Sequence, residues 1–222
     1  MELLLLSSSR TAAGYLTDYL AEISAFAGSM RRAAFVPFAA VTRSWEEFAA
    51  MVANATGFAL DVVRGPDDLA HAGLIIVGGG NTFQLLRECR ARGLLGAMRE
   101  RVKARTKYLG WSAGANLACP TIKTTNDMPI VDPGGLEALG LVRFQINAHY
   151  TPAVLPNHFG ESRDERLAEF ARANPGVPVI GLPEGDWLRV SGGLVELRGP
   201  HAAAWFEAGK LPARVMPGKV PT

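Results

Sequence analysis

Lys107-Tyr108-Leu109-Gly110-Trp111-Ser112-Ala113-Gly114-Ala115-Asn116 is the stretch on which the fold turns. Its first half is a short apolar and aromatic run of strand length. Its second half opens a small-residue segment, Ala113 to Ala118, that reads as a helix. A strand that becomes a helix with one residue between them must turn sharply. Glycine on either side of Ser112 keeps such a turn free of clashes, and the pattern Gly-x-Ser-x-Gly lifts one hydroxyl above the end of a sheet. The other use of a serine at this place is as a helix N-cap.

Working outward, the same alternation recurs. Leu3–Leu6, Ala33–Phe38, Phe58–Val63 and Leu74–Val77 are short apolar runs on the N-terminal side, and Phe144–Ala148 and Val177–Leu182 follow on the C-terminal side. Between them lie helical patterns: Tyr15 to Phe26, a segment capped by Ser44 with Glu47, the helix opened by Asn81, Leu94 to Lys103, and Arg163 to Ala173 capped by Ser162 with Glu165. Trp187 to Leu197 alternates about Gly192-Gly193 and reads as a hairpin. Continuous apolar strands separated by helices predict an α/β fold: one domain over residues 1–222, with a mostly parallel sheet sandwiched by helices. Nothing distinctive is read after Gly199.

Composition narrows the function classes. A chain of 222 residues that is 48% hydrophobic and 20% charged has a large core and is not disordered. With 23 basic and 21 acidic side chains and no basic block, it shows no footprint for nucleic acid or an anionic membrane. Cys89 and Cys119 lack disulfide-framework and zinc spacing, which fits a reducing compartment. Leu3–Leu6 is too short for a signal sequence, Glu2 stands where a basic residue is expected, and no run reaches membrane-span length. The expectation is a soluble, cytoplasmic protein.

In folds of this class ligands bind beyond the carboxyl ends of the strands. Ser112 is the candidate nucleophile there, and a hydroxyl needs a base. Of the four histidines, His149 ends the strand Phe144–Ala148 and is preferred; His158 is the second choice and could line the substrate pocket instead. The acid that orients the imidazole is Glu184, just past the strand Val177–Leu182, or Asp127, in the polar loop Thr124–Pro129, with the strand-end rule favouring Glu184. Asp132, followed by Pro133, reads as a turn former. Gly78-Gly79-Gly80-Asn81 also ends a strand; one of its amides, with that of Ala113, would make a two-donor oxyanion hole. A phosphate loop is disfavoured, because Phe83 stands where the third glycine would fall and no Gly-Lys-Ser/Thr follows.

Five blocks together resemble peptidase E, the α-aspartyl dipeptidase family: Val77–Gln84, Gly110–Asn116, Thr124–Pro129, Gln145–Asn147 before His149, and Gly181–Gly185. The resemblance runs from Met1 to about Gly199. It implies a fold similar to class I glutamine amidotransferases. It implies a cytoplasmic serine peptidase, without metal or other cofactor, that hydrolyses dipeptides with an N-terminal aspartate. It maps the nucleophile onto Ser112, the base onto His149 and the oxyanion amides onto Gly80 and Ala113, and it leaves Asp127 and Glu184 both open. Ala148 departs from the family pattern, which has proline before the histidine.

An aspartyl side chain brings a carboxylate that needs a cation or several donors. Arg163, at the head of its helix where a positive charge opposes the helix dipole, is the candidate reader. His158 and Asn81 are the further substrate-binding candidates. The expected partner is a small Asp-X peptide, with the chain acting as a monomer or homodimer. The rivals are a cyanophycinase-like enzyme, another serine hydrolase or esterase with the same elbow, and a nucleotide-binding module.

Overall fold

The computed structural model describes residues 1–153 and 159–222. In chain order the elements are β1 (Glu2–Leu6), β2 (Arg10–Thr11), β3 (Gly14–Tyr15), α1 (Leu20–Ala27), β4 (Arg32–Val36), α2 (Trp45–Thr56), β5 (Ala59–Val62), β6 (Leu74–Val77), α3 (Thr82–Ala91), α4 (Leu94–Lys103), β7 (Lys107–Trp111), α5 (Ala113–Leu117), β8 (Gln145–Tyr150), α6 (Arg163–Ala173), β9 (Val179–Pro183), β10 (Trp187–Ser191), β11 (Leu194–Arg198), β12 (Ala203–Phe206), β13 (Ala213–Val215) and β14 (Gly218–Lys219). An eight-stranded sheet runs β14-β11-β10-β1-β7-β6-β4-β5. The five strands from β1 to β5 in that order are parallel, and β10, β11 and β14 extend them antiparallel.

Side chains alternate across this sheet with period two. Leu4, Leu6, Phe35, Ile76, Leu109 and Trp111 face one side, under Ile23 and Phe26 of α1 and Phe48 and Val52 of α2. Leu3, Leu5, Val36, Ile75, Val77 and Tyr108 face the other, under Leu85 of α3, Met98 of α4 and Leu117 of α5. Both faces are covered, so the strands are apolar throughout. Each leucine buried this fully contributes about 1.5–3 kcal/mol.

The α/β reading with a mostly parallel sheet holds. Three features refine it. First, the strands at 145–150 and 179–183 lie in a second sheet, β13-β12-β9-β8, whose Ile146, Ile180 and Leu182 pack into the same core as α3–α5. Second, the helix expected from Tyr15 begins only at Leu20; Tyr15 is in a short hairpin, and Leu16 takes a left-handed φ of 57°, which a helix does not allow. Third, the segment after Gly199 supplies β12, inside the second sheet, and the edge strands β13 and β14, all of two to four residues without a readable alternation. Both capping boxes form as expected, Ser44 with Glu47 and Ser162 with Glu165. Gly192 and Gly193 turn the β10–β11 hairpin, both at positive φ. Asp132 Oδ1 accepts from the Gly134 amide, the turn its sequence predicted.

The glycines of the elbow are explained by close approach. A Cβ on Gly110 would stand 2.5 Å from the Gly114 carbonyl oxygen, and one on Gly114 would collide with the Val77 carbonyl. The helix α5 therefore lies against the sheet backbone, and Ser112 is lifted where β7 ends.

Candidate active site

Ser112 stands between β7 and α5 with φ 52° and ψ −113°, a conformation costly for any residue with a side chain. Its amide donates to the Leu6 carbonyl at 3.1 Å, which ties the turn to β1. Ser112 Oγ lies 2.9 Å from His149 Nε2, and His149 Nδ1 lies 2.6 Å from Glu184 Oε1. A carboxylate only accepts, so Nδ1 carries the proton and Nε2 presents its lone pair to the serine hydroxyl. The three side chains thus form a continuous relay. It is open to solvent at its acidic end, where the Glu184 side chain is 60% exposed.

His149 is held by its backbone as well as its ring. It lies within β8, one residue short of the strand's last pairing, and takes a φ of 55° at an irregularity between Asn147 and Tyr150. Its amide donates to Ser7 Oγ at 2.9 Å, and Ser7 Oγ donates to the Leu182 carbonyl at 2.8 Å. Ser7 is fully buried. Sequence reasoning missed it, although it follows the strand Leu3–Leu6 at the carboxyl end where it could have been sought. Ser7→Ala leaves the His149 amide without its partner, a loss of about 1–3 kcal/mol. A Tm decrease with a drop in kcat is the expected outcome; a variant with native kcat would show that the ring holds its place without this bond.

The loop Thr124–Pro129 braces β8 from the other side. Asn126 Nδ2 donates to the Ala148 carbonyl at 2.7 Å, and Asn147 Nδ2 donates to the Thr124 carbonyl and Asn126 Oδ1, both at 2.8 Å. Asp127 does not reach the imidazole. Its Oδ2 accepts from the Thr82 amide at 2.7 Å, from Thr82 Oγ1 at 2.5 Å and from Thr125 Oγ1 at 3.1 Å. The carboxylate sits where the dipole of α3 favours an anion. Of the two carboxylates the sequence leaves open, Asp127 has its oxygens engaged at the start of α3, and Glu184 is the one within hydrogen-bond reach of His149.

The glycine turn after β6 faces Ser112. The amides of Gly78 and Asn81 donate to the Val36 and Ala39 carbonyls, but among the described residues no main-chain acceptor faces those of Gly79 and Gly80. Gly80 has φ 139°, and a Cβ there would collide with the Ala39 carbonyl. Ala113, the first residue of α5, has no carbonyl four residues back in the helix to bond. Gly79, Gly80, Asn81, Ser112 and His149 line one cleft of about 490 Å³. Asn81 turns its polar atoms inward, Oδ1 accepting from Gln84 N at 3.0 Å and Nδ2 donating to the Met128 carbonyl at 2.9 Å, so it shapes this wall more than it offers free donors.

Arg163 lies on the β8 side. Its Nη1 donates to Asn147 Oδ1 at 3.2 Å, two residues from the imidazole, and partial burial lowers its pKa below the usual guanidinium value. It stays charged. His158 lies outside the described residues. Cys119 is buried, its Sγ accepting from the Ile146 amide, and burial pushes its thiol up to about 12, so it packs and does not react. Among the described residues no cluster of three or more His, Cys, Asp or Glu could hold a metal ion, and no helix is long and apolar enough to cross a membrane.

A hydroxyl on a strained strand-to-helix turn, an imidazole within hydrogen-bond reach and a carboxylate behind it are the constellation of a serine hydrolase. The chain belongs to peptidase family S51, whose family model matches residues 3–198, and is a serine-type peptidase. It is 50% identical over 222 residues to peptidase E of Salmonella typhimurium strain LT2, with 95% of each chain covered. Its fold is similar to the crystal structure of a candidate peptidase E from Listeria monocytogenes EGD-e, with a TM-score of 0.67 and 21% identity over 90% of this chain and 98% of that one. A peptidase from an acI-B1 actinobacterium gives a TM-score of 0.60 at 18% identity, with 96% of each chain covered.

Proposed function

We propose that this single-domain chain is a dipeptidase that hydrolyses peptides with an N-terminal aspartate through an aspartyl-enzyme ester, in the cytoplasm, as a monomer or homodimer. The observation that carries it is the 2.9 Å approach of Ser112 Oγ to His149 Nε2 with Glu184 behind the ring. His149 takes the Ser112 proton as Oγ attacks the aspartyl carbonyl. The amides of Gly80 and Ala113 donate to the oxyanion, and the helix start behind Ala113 adds a favourable partial charge. His149 then gives its proton to the leaving amine. Water, deprotonated by the same ring, attacks the ester, and Ser112 recovers its proton as aspartate departs. Glu184 keeps the ring in the tautomer this needs and stabilises the imidazolium.

The name of the Salmonella relative supports a peptidase of this type. For the aspartyl side chain the reader is Arg163, a cation beside β8 with no ion-pair partner among the described residues. The free, buried Cys89 and Cys119 suit a reducing compartment. The test compares Asp-Leu, Asn-Leu, Glu-Leu and Ala-Leu. Asp-Leu alone should turn over well, and Arg163→Ala should lower its kcat/KM by about tenfold to a hundredfold, the worth of one charge-assisted bond. An enzyme that takes Ala-Leu as readily as Asp-Leu contradicts the proposal.

A further inference from the structure

The cleft that holds Ser112 and His149 is also lined by Arg10 and Arg43. Sequence reasoning passed over both. No Asp or Glu lines this cleft among the described residues, so its formal charge is positive. Neither guanidinium has an ion-pair partner among the described residues. Arg10 lies over the Tyr15 ring at 5.8 Å, and Arg43 lies over the Phe48 ring at 5.8 Å with Nη1 against Met51 Sδ at 3.1 Å. The Tyr15 hydroxyl and Trp111 Nε1 are buried behind the same wall. Trp111 Nε1 stands beside the serine, since a Cβ placed on Gly79 would touch both it and Ser112 Cβ at 3.1 Å. Two free cations beside a nucleophile select an anion.

An Asp-X dipeptide carries two carboxylates, one on the aspartyl side chain and one at its C-terminus. Arg163 answers the first from the β8 side. The second cleft, beyond His149, carries Asp164 and Glu184 as well as Arg214, and so offers acceptors for the substrate ammonium that the Ser112 cleft lacks. The charge pattern therefore runs one way along the site. Taking the dipeptidase reading above as its basis, we propose that Arg10 and Arg43 bind the C-terminal carboxylate of the leaving residue, so that the enzyme favours peptides ending one residue beyond the scissile bond. Val41, Met51 and Ile130 line the same cleft and accept an apolar side chain on that residue.

The test compares Asp-Leu with Asp-Leu amide, which differ only at that carboxylate, in the native enzyme, in Arg10→Gln, in Arg43→Gln and in the double variant. Asp-p-nitroanilide reports the chemistry itself. The native enzyme should favour the free acid by about tenfold or more in kcat/KM. The double variant should bring that ratio towards one, chiefly through a raised KM for Asp-Leu. A native ratio near one overturns the inference, and so does a double variant that slows acid and amide by the same factor. Native enzyme that leaves Asp-Leu intact overturns the dipeptidase reading and the inference with it; turnover of Asp-Leu with a flat acid-to-amide ratio overturns the inference alone.

Discussion

Ser112→Ala removes nearly all hydrolysis of Asp-p-nitroanilide, a loss of roughly 10⁴-fold or more in kcat, because a nucleophile and its base fail as a unit when either is lost. The fold should survive. Alanine keeps the Cβ that the turn already accommodates, and the Ser112 amide still reaches the Leu6 carbonyl. The remaining rate reflects the oxyanion donors and substrate binding alone. Stopped-flow or endpoint release of p-nitroaniline with a matched Tm measurement checks both halves. A folded variant working at the native rate would remove Ser112 from the chemistry.

Glu184→Gln should lower kcat by roughly 10²–10⁴-fold, since glutamine can donate to Nδ1 and trap the wrong tautomer, leaving Nε2 protonated towards the serine. The exposure of Glu184 places the effect below that of Ser112→Ala, because water screens the imidazolium in part. Asp127→Asn makes the control. Its carboxylate touches Thr82 and Thr125 and not the ring, and an amide oxygen can still accept from the Thr82 amide. Its kcat should fall far less than that of Glu184→Gln. The reverse order, with Asp127→Asn the more damaging, would return the orienting role to Asp127.

Much of this site could be read from strand ends. Ser112 and Glu184 directly follow their strands and Gly80 lies three residues past the end of β6, so the rule that ligands gather at strand ends finds them. His149 was found by the same rule for a partly different reason. Its strand runs on to Tyr150, and what aims the ring is an irregularity with positive φ that leaves no mark in composition. Arg10 and Tyr15 escaped because a hairpin with two-residue strands has no periodicity to detect, and the helical spacing of Tyr15, Leu16 and Tyr19 pointed to another element. Arg43 sits in the turn between β4 and α2, where a charge is unremarkable until the fold brings it to Ser112. The division into two sheets was hidden because an apolar run states that a strand is buried and not which neighbour it joins.

That division has a consequence. The alcohol belongs to one slab of the molecule and the imidazole and its carboxylate to the other, with Ser7 riveting the seam through bonds to His149, to Leu182 and from its own amide to the Asp186 carbonyl. A slight shear between the slabs would separate proton donor from acceptor while each slab stayed intact, so catalytic competence is a more delicate property of this chain than foldedness.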